Sequence, residues 1–101
     1  PPGRIALAVD GIRPELYDTD RLASVGDVYA AMMRMHFMDR ARQQGFEVID
    51  MQPAFIADYR QRQLTCEFPD DNHWNATGHE VFARAVQQSK VYRETFRSVG
   101  P

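Results

Sequence analysis

The chain has 101 residues, of which 44% are hydrophobic and 26% charged, and a formal net charge of −2. This balance is typical of a globular chain and not of a disordered one, and the length fits one small domain or a piece of a larger one. The net charge argues against a dedicated nucleic-acid-binding protein, which shows a basic field. No stretch approaches the roughly 18 apolar residues of a membrane span, and the single cysteine excludes an internal disulfide.

The first half of the chain alternates strand-like and helix-like patterns. Residues 4–11 form a short apolar run that ends in Asp-Gly, which predicts a buried strand and a turn. Residues 12–27 predict a long polar connection. Residues 28–45 predict a helix that ends at Gly45. Because its first half is apolar almost all round, we expect this helix to be deeply packed, with its methionines as core filler and His36 partly buried.

The second half repeats the alternation. Residues 46–55 predict a strand that Pro53 stops, and residues 56–68 predict a short helix and a loop. A final helix is expected to begin near Ala76, with Asn75 as its cap, because the asparagine side chain can accept from the first free backbone N–H groups.

The order strand, helix, strand, helix is that of βαβ units, and it predicts an α/β fold with a parallel sheet flanked by helices. Two parallel strands alone leave such a sheet incomplete, since buried strands need neighbours on both sides. We therefore expect residues 1–101 to be a single segment, half of a doubly wound domain. As a lone chain it should self-associate or pair with a missing N-terminal half.

The stretch PDDNHWNATGH, residues 69–79, gathers the residue types of a general base. His73 follows Asp71 by two positions and Asp70 by three. A histidine base needs an acceptor on its Nδ1–H so that Nε2 faces the nucleophile, and an upstream carboxylate on a loop can supply it. We also expect Trp74 to shield this pair from water. Spacing alone leaves both carboxylates open, and it leaves a solvated acidic turn open as well.

Three other interpretations compete with this one. Asp70, Asp71, His73 and His79 are metal-ligand types, although no third histidine or cysteine cluster supports a zinc site. Cys66 precedes His73 by seven residues and could belong to a Cys-His-Asp enzyme. A non-catalytic α/β interaction module, pairing through open strand edges, is the alternative from another functional class.

The string DDNHWNATGHEVFARAV, residues 70–86, resembles the final sequence block of the SGNH (GDSL-like) hydrolase superfamily. Residues 29–55 resemble the helix and strand that lead into that block. The resemblance implies a three-layer, flavodoxin-like fold and a Ser-His-Asp triad in which His73 is the general base. The spacing D-x-x-H selects Asp70 as its partner, whereas members with H-W-N often read D-x-H, which favours Asp71.

The resemblance further implies a serine esterase or acyltransferase that acts on ester substrates, with O-acetyl carbohydrates as one class. It implies no cofactor, no metal, and a location in the bacterial cell envelope or outside the cell. The family's Gly-Asp-Ser block and its oxyanion-hole Gly and Asn have no match here, and Ser24 has its Gly and Asp on the wrong side. We therefore expect the lone chain to be inactive, as the C-terminal part of a longer enzyme.

Overall fold

The computed structural model describes residues 1–12, 17–18 and 29–96, which form a mixed α/β fold. Most of the connection expected at 12–27 lies outside these residues. A 3-10 turn at Pro2–Arg4 precedes two strands and four helices in the described part of the chain. In chain order they are β1 (Ala6–Val9), α1 (Tyr29–Gln43), β2 (Glu47–Asp50), α2 (Met51–Arg62), α3 (Ala76–Gln88) and α4 (Lys90–Phe96).

The two strands form a parallel pair, in a register that runs from Ala6 opposite Glu47 to Val9 opposite Asp50. A parallel pair needs a crossover connection, and α1 lies in that connection. The expected α/β fold with a parallel sheet is therefore confirmed. Both carboxyl ends lie at the same edge of the sheet, so the segments after Val9 and Asp50 start side by side.

Helix α1 is not deeply packed, and that expectation is wrong. It buries only one narrow face, formed by Ala31, Met38 and Ala41. A two-stranded sheet covers one side of a helix, and the apolar residues on the other sides remain in contact with solvent. The exposed residues of this helix include Met32, Met33, Met35, His36 and Phe37. Gly45 follows the helix with a φ of 93°, which suits its expected role as the helix end.

The boundary between β2 and α2 differs from the expectation. The strand stops at Asp50, and the helix starts at once, with the Asp50 carboxylate accepting from the backbone N–H of Gln52 at 3.0 Å. Pro53 lies in the first helical turn instead of ending a strand. A proline is tolerated there because its missing N–H would have no partner inside the helix.

The core lies where α2 and α3 pack together. Its buried members are Met51, Phe55, Cys66 and Val81, with Trp74 among the partly buried side chains packed against them. Helix α3 begins at Ala76 as expected. The segment that joins α2 to α3 thus contributes Cys66 to the core and packs Trp74 against it, and the same segment carries His73.

Candidate functional site

His73 lies on a short hairpin, residues 66–75, between α2 and α3. Its two arms meet at an antiparallel bridge between Glu67 and Trp74. The backbone N–H of Phe68 donates to the His73 carbonyl at 3.3 Å. Residues 69–72 form the tip, so the acidic residues of the motif project from a hairpin whose base is closed by backbone pairing.

Asn75 joins this hairpin to the helix that follows it. Its Oδ1 accepts from the backbone N–H of Gly78 at 2.9 Å, which caps α3. Its Nδ2 donates to the carbonyls of Thr65 at 3.0 Å and Glu67 at 3.1 Å on the opposite arm. One side chain thus satisfies three backbone groups on two segments, and the expected cap is confirmed.

Gly78 allows the first turn of α3 to approach the hairpin closely. A Cβ atom added there would lie 2.4 Å from the carbonyl oxygen of Cys66 and 2.9 Å from the Cβ of Trp74. Both distances are well below van der Waals contact. Glycine is therefore required at this position by close packing, and the helical pattern of the sequence alone does not reveal that requirement.

Tyr17 holds the other arm of the hairpin. Its hydroxyl accepts from the backbone N–H of Cys66 at 3.0 Å and donates to Glu67 Oε2 at 2.6 Å. The ring contacts Tyr59, with centroids 4.6 Å apart. Burial raises the pKa of the Tyr17 hydroxyl, and the hydrogen bond to Glu67 raises it further, so the phenol stays protonated at neutral pH.

The structure brings His73 and Asp71 together. Nδ1 of His73 is hydrogen-bonded to Oδ1 of Asp71, and the backbone N–H of His73 donates to the same oxygen at 2.7 Å. Both hydrogen bonds lower the pKa of the Asp71 carboxyl, and the one from the His73 backbone N–H has the larger effect. Of the two candidate carboxylates, Asp71 contacts the imidazole, while Asp70 lies exposed at the hairpin tip.

The imidazole is open to solvent, with 86% of the His73 side chain exposed. The expectation that Trp74 shields the pair from water is therefore wrong. The indole instead packs inward, with its ring centroid 5.7 Å from that of Phe55 and 5.1 Å from that of Phe82. Trp74 anchors the hairpin to the core and leaves the neighbouring imidazole outside.

An open depression of about 350 Å³ lies beside the imidazole, lined by Asp10, Asn72, His73, Trp74 and His79. Asp10 directly follows β1, and its Oδ1 lies 3.4 Å from the indole Nε1–H of Trp74, which donates to it. The depression thus borders the carboxyl end of a parallel strand. Ligand sites of open α/β sheets lie at that edge.

The geometry weighs against two of the alternatives. Cys66 is fully buried in the core, so its thiol cannot reach a substrate. Within residues 1–12, 17–18 and 29–96, no three His, Cys, Asp or Glu side chains come together as metal ligands, so Asp70, Asp71, His73 and His79 do not form such a set. Ser24 and Ser98 lie outside the described residues, and Ser89 is buried at the junction of α3 and α4.

Comparisons with known proteins give no relative: no family model, no curated protein and no solved structure matches this chain. The likeness to the SGNH block therefore rests on the sequence motifs alone, and residues 70–79 are their specific part. Among the helices that the structure describes, none is long and apolar enough to cross a membrane.

Proposed function

We propose that this chain supplies the His-Asp half of a Ser-His-Asp catalytic centre that hydrolyses or transfers the acyl group of an ester. The observation that carries the proposal is the hydrogen bond between His73 Nδ1 and Asp71 on a solvent-exposed ring. With Nδ1 held by a carboxylate, Nε2 is the nitrogen left to face a hydroxyl.

The chemistry needs a serine from outside these 101 residues. Nε2 of His73 takes the serine proton while the serine oxygen attacks the ester carbonyl, and it then returns the proton to the departing alcohol. Water repeats the sequence on the acyl-serine and releases the acid. A second alcohol in place of water makes the reaction a transfer. Asp71 stabilises the imidazolium that forms in each half and keeps the ring in the productive tautomer.

The proposed fold of the parent enzyme is the three-layer SGNH type, of which this chain forms one part. The parallel pair of β1 and β2 supports this proposal because each strand has an outer edge at which a further parallel strand can pair. A strand added to this sheet would end at the edge where Asp10 and Trp74 border the depression. A serine at the end of such a strand would lie near His73.

The proposed substrate class is an ester of a hydroxyl-rich alcohol, with O-acetyl carbohydrates as the leading candidates. This part rests on the likeness of the H-W-N motif, and the lining of the depression supports it. Asp10, Asn72 and His79 offer hydrogen-bonding groups to hydroxyls. The same open strand edges also suit a non-catalytic interaction module, which would show no ester hydrolysis.

Single substitutions test the proposal in an enzyme that contains both this chain and the serine-bearing segment. We expect His73→Ala to lower kcat on p-nitrophenyl acetate by several orders of magnitude, and Asp71→Ala to lower it by on the order of 10⁴-fold, because triad members act as a unit. Asp70→Ala is the matched control and should retain most activity. Unchanged turnover in His73→Ala would refute the catalytic role.

A further inference from the structure

Helix α1 carries an apolar stripe on the face opposite its buried one. The stripe consists of Tyr29, Met32, Met33, His36 and Phe37, all exposed. At 3.6 residues per turn these side chains fall within an arc of about 140°. The buried residues Ala31, Met38 and Ala41 are centred on the opposite side of the same helix. A helix that packs on one side only is ordinarily polar on the other.

We propose that the α1 stripe pairs with the same stripe of a second copy of this chain, as an antiparallel helix pair about a two-fold axis. Tyr29 is 76% and Phe37 51% exposed. Because an aromatic side chain can bury about 150–250 Å², these two rings present roughly 250 Å². Met32 and Met33 raise the patch to on the order of 400 Å², a size that marks interaction sites.

The stripe is complementary to itself in this orientation. When the two-fold axis crosses the helix pair midway between positions 34 and 35, every contact between the two helices occurs twice, as a two-fold interface requires. The aromatic ring at position 29 then meets a guanidinium, and the ring at position 37 meets a thioether, both favourable contacts. The facing pairs are Tyr29 with Arg40, Met32 with Phe37, and Met33 with His36.

Charge selects this orientation over the parallel one. In an in-register parallel pair, the two Arg40 side chains would lie against each other and repel. In the antiparallel pair they are separated by about 16 Å along the helix axes, at 1.5 Å per residue. The patch is about half of the roughly 800 Å² that each partner contributes to a standard interface, so we expect a weak dimer in rapid exchange.

Sedimentation velocity across a range of concentrations tests the pairing. The mass should rise from 11.6 kDa to about twice that value, as a two-fold dimer requires. Phe37→Glu should keep the chain monomeric because each copy would bury a charge in the interface. Met35→Glu is the matched control, since Met35 is also half-exposed but lies off the stripe, and it should still dimerise. A monomeric wild-type chain, or a dimer unaffected by Phe37→Glu, would overturn the proposal.

Disulfide trapping tests the orientation. A mixture of Tyr29→Cys and Arg40→Cys chains should yield the mixed disulfide in preference to either homodimer, because only the antiparallel register brings these positions together. The native Cys66 is buried and stays out of the reaction. Preferential Tyr29→Cys homodimers would indicate a parallel pair and refute the register. Far-UV circular dichroism confirms that each variant keeps its helices.

Discussion

Replacing Gly78 by alanine should destabilise this protein, although the same exchange inside a helix is ordinarily favourable. Alanine gains about 1 kcal/mol over glycine in a helix interior. At Gly78 the new methyl group would lie 2.4 Å from the carbonyl oxygen of Cys66, a backbone atom that cannot rotate away. The first turn of α3 and the hairpin must therefore move apart.

The cost of that movement follows from the contacts involved. Overpacking a well-filled site costs about 1–3 kcal/mol. The same carbonyl accepts from the backbone N–H of Asn75 at 3.0 Å, and stretching that bond adds about 1 kcal/mol. After the gain in helix propensity, we expect Gly78→Ala to lower the free energy of unfolding by about 1–3 kcal/mol.

Urea unfolding followed by fluorescence measures this directly, because Trp74 is the single tryptophan and its Cβ would lie 2.9 Å from a Cβ at position 78. Its emission should shift in the folded variant as the hairpin moves. Gly3→Ala is the matched control, since a Cβ there meets nothing within 4 Å, and it should change stability by less than about 0.5 kcal/mol. A stabilised Gly78→Ala variant with unchanged emission would refute the close-packing argument.

Three further outcomes follow from other contacts of the structure. Tyr17→Phe should lower the free energy of unfolding in urea by about 1–3 kcal/mol, because it leaves the Cys66 N–H and the Glu67 carboxylate without their hydroxyl partner. Tyr59→Phe, which changes the ring in contact with Tyr17, is the control and should cost less. Asp58→Asn should lower the free energy of unfolding in urea by about 2 kcal/mol, since the buried carboxylate accepts hydrogen bonds from Arg62 and Arg84. A loss that shrinks at high salt would contradict this, because it would mean that solvent screens these bonds. The pKa of Asp71 lies below its ordinary 3.8, so its bond to His73 should persist below that pH and disappear as pH falls through the lowered value; loss near pH 5 in an NMR titration would contradict this.

Local patterns in the sequence predicted much of the fold. The βαβ order, the Asn75 cap and the contact between His73 and a nearby aspartate all depend on residues within a few positions of one another. Spacing alone left Asp70 and Asp71 both open, and only the resemblance to H-W-N members favoured Asp71. The bond is made to Asp71, on the same hairpin as His73. Pro53 was misleading because the same residue that stops a strand is accepted in a first helical turn.

Long-range packing explains what the sequence did not reveal. The apolar run of α1 predicts burial, yet burial depends on how many strands the helix can cover, and the described sheet has two. Tyr17 reaches the hairpin across 50 positions of sequence, and no local pattern connects it to Glu67. The close approach at Gly78 likewise becomes apparent only when the hairpin is placed against α3.

Nitrogen-15 NMR of the His73 ring tests the central claim most directly, and it uses the 101-residue chain itself. At a pH where the ring is neutral, we expect the proton on Nδ1 and a bare Nε2, because the hydrogen bond at one nitrogen sets the tautomer. Asp71→Ala should reverse that preference, and Asp70→Ala should leave it unchanged. A wild-type ring protonated on Nε2, or a tautomer indifferent to Asp71→Ala, would contradict the assignment of His73 as a base oriented by Asp71.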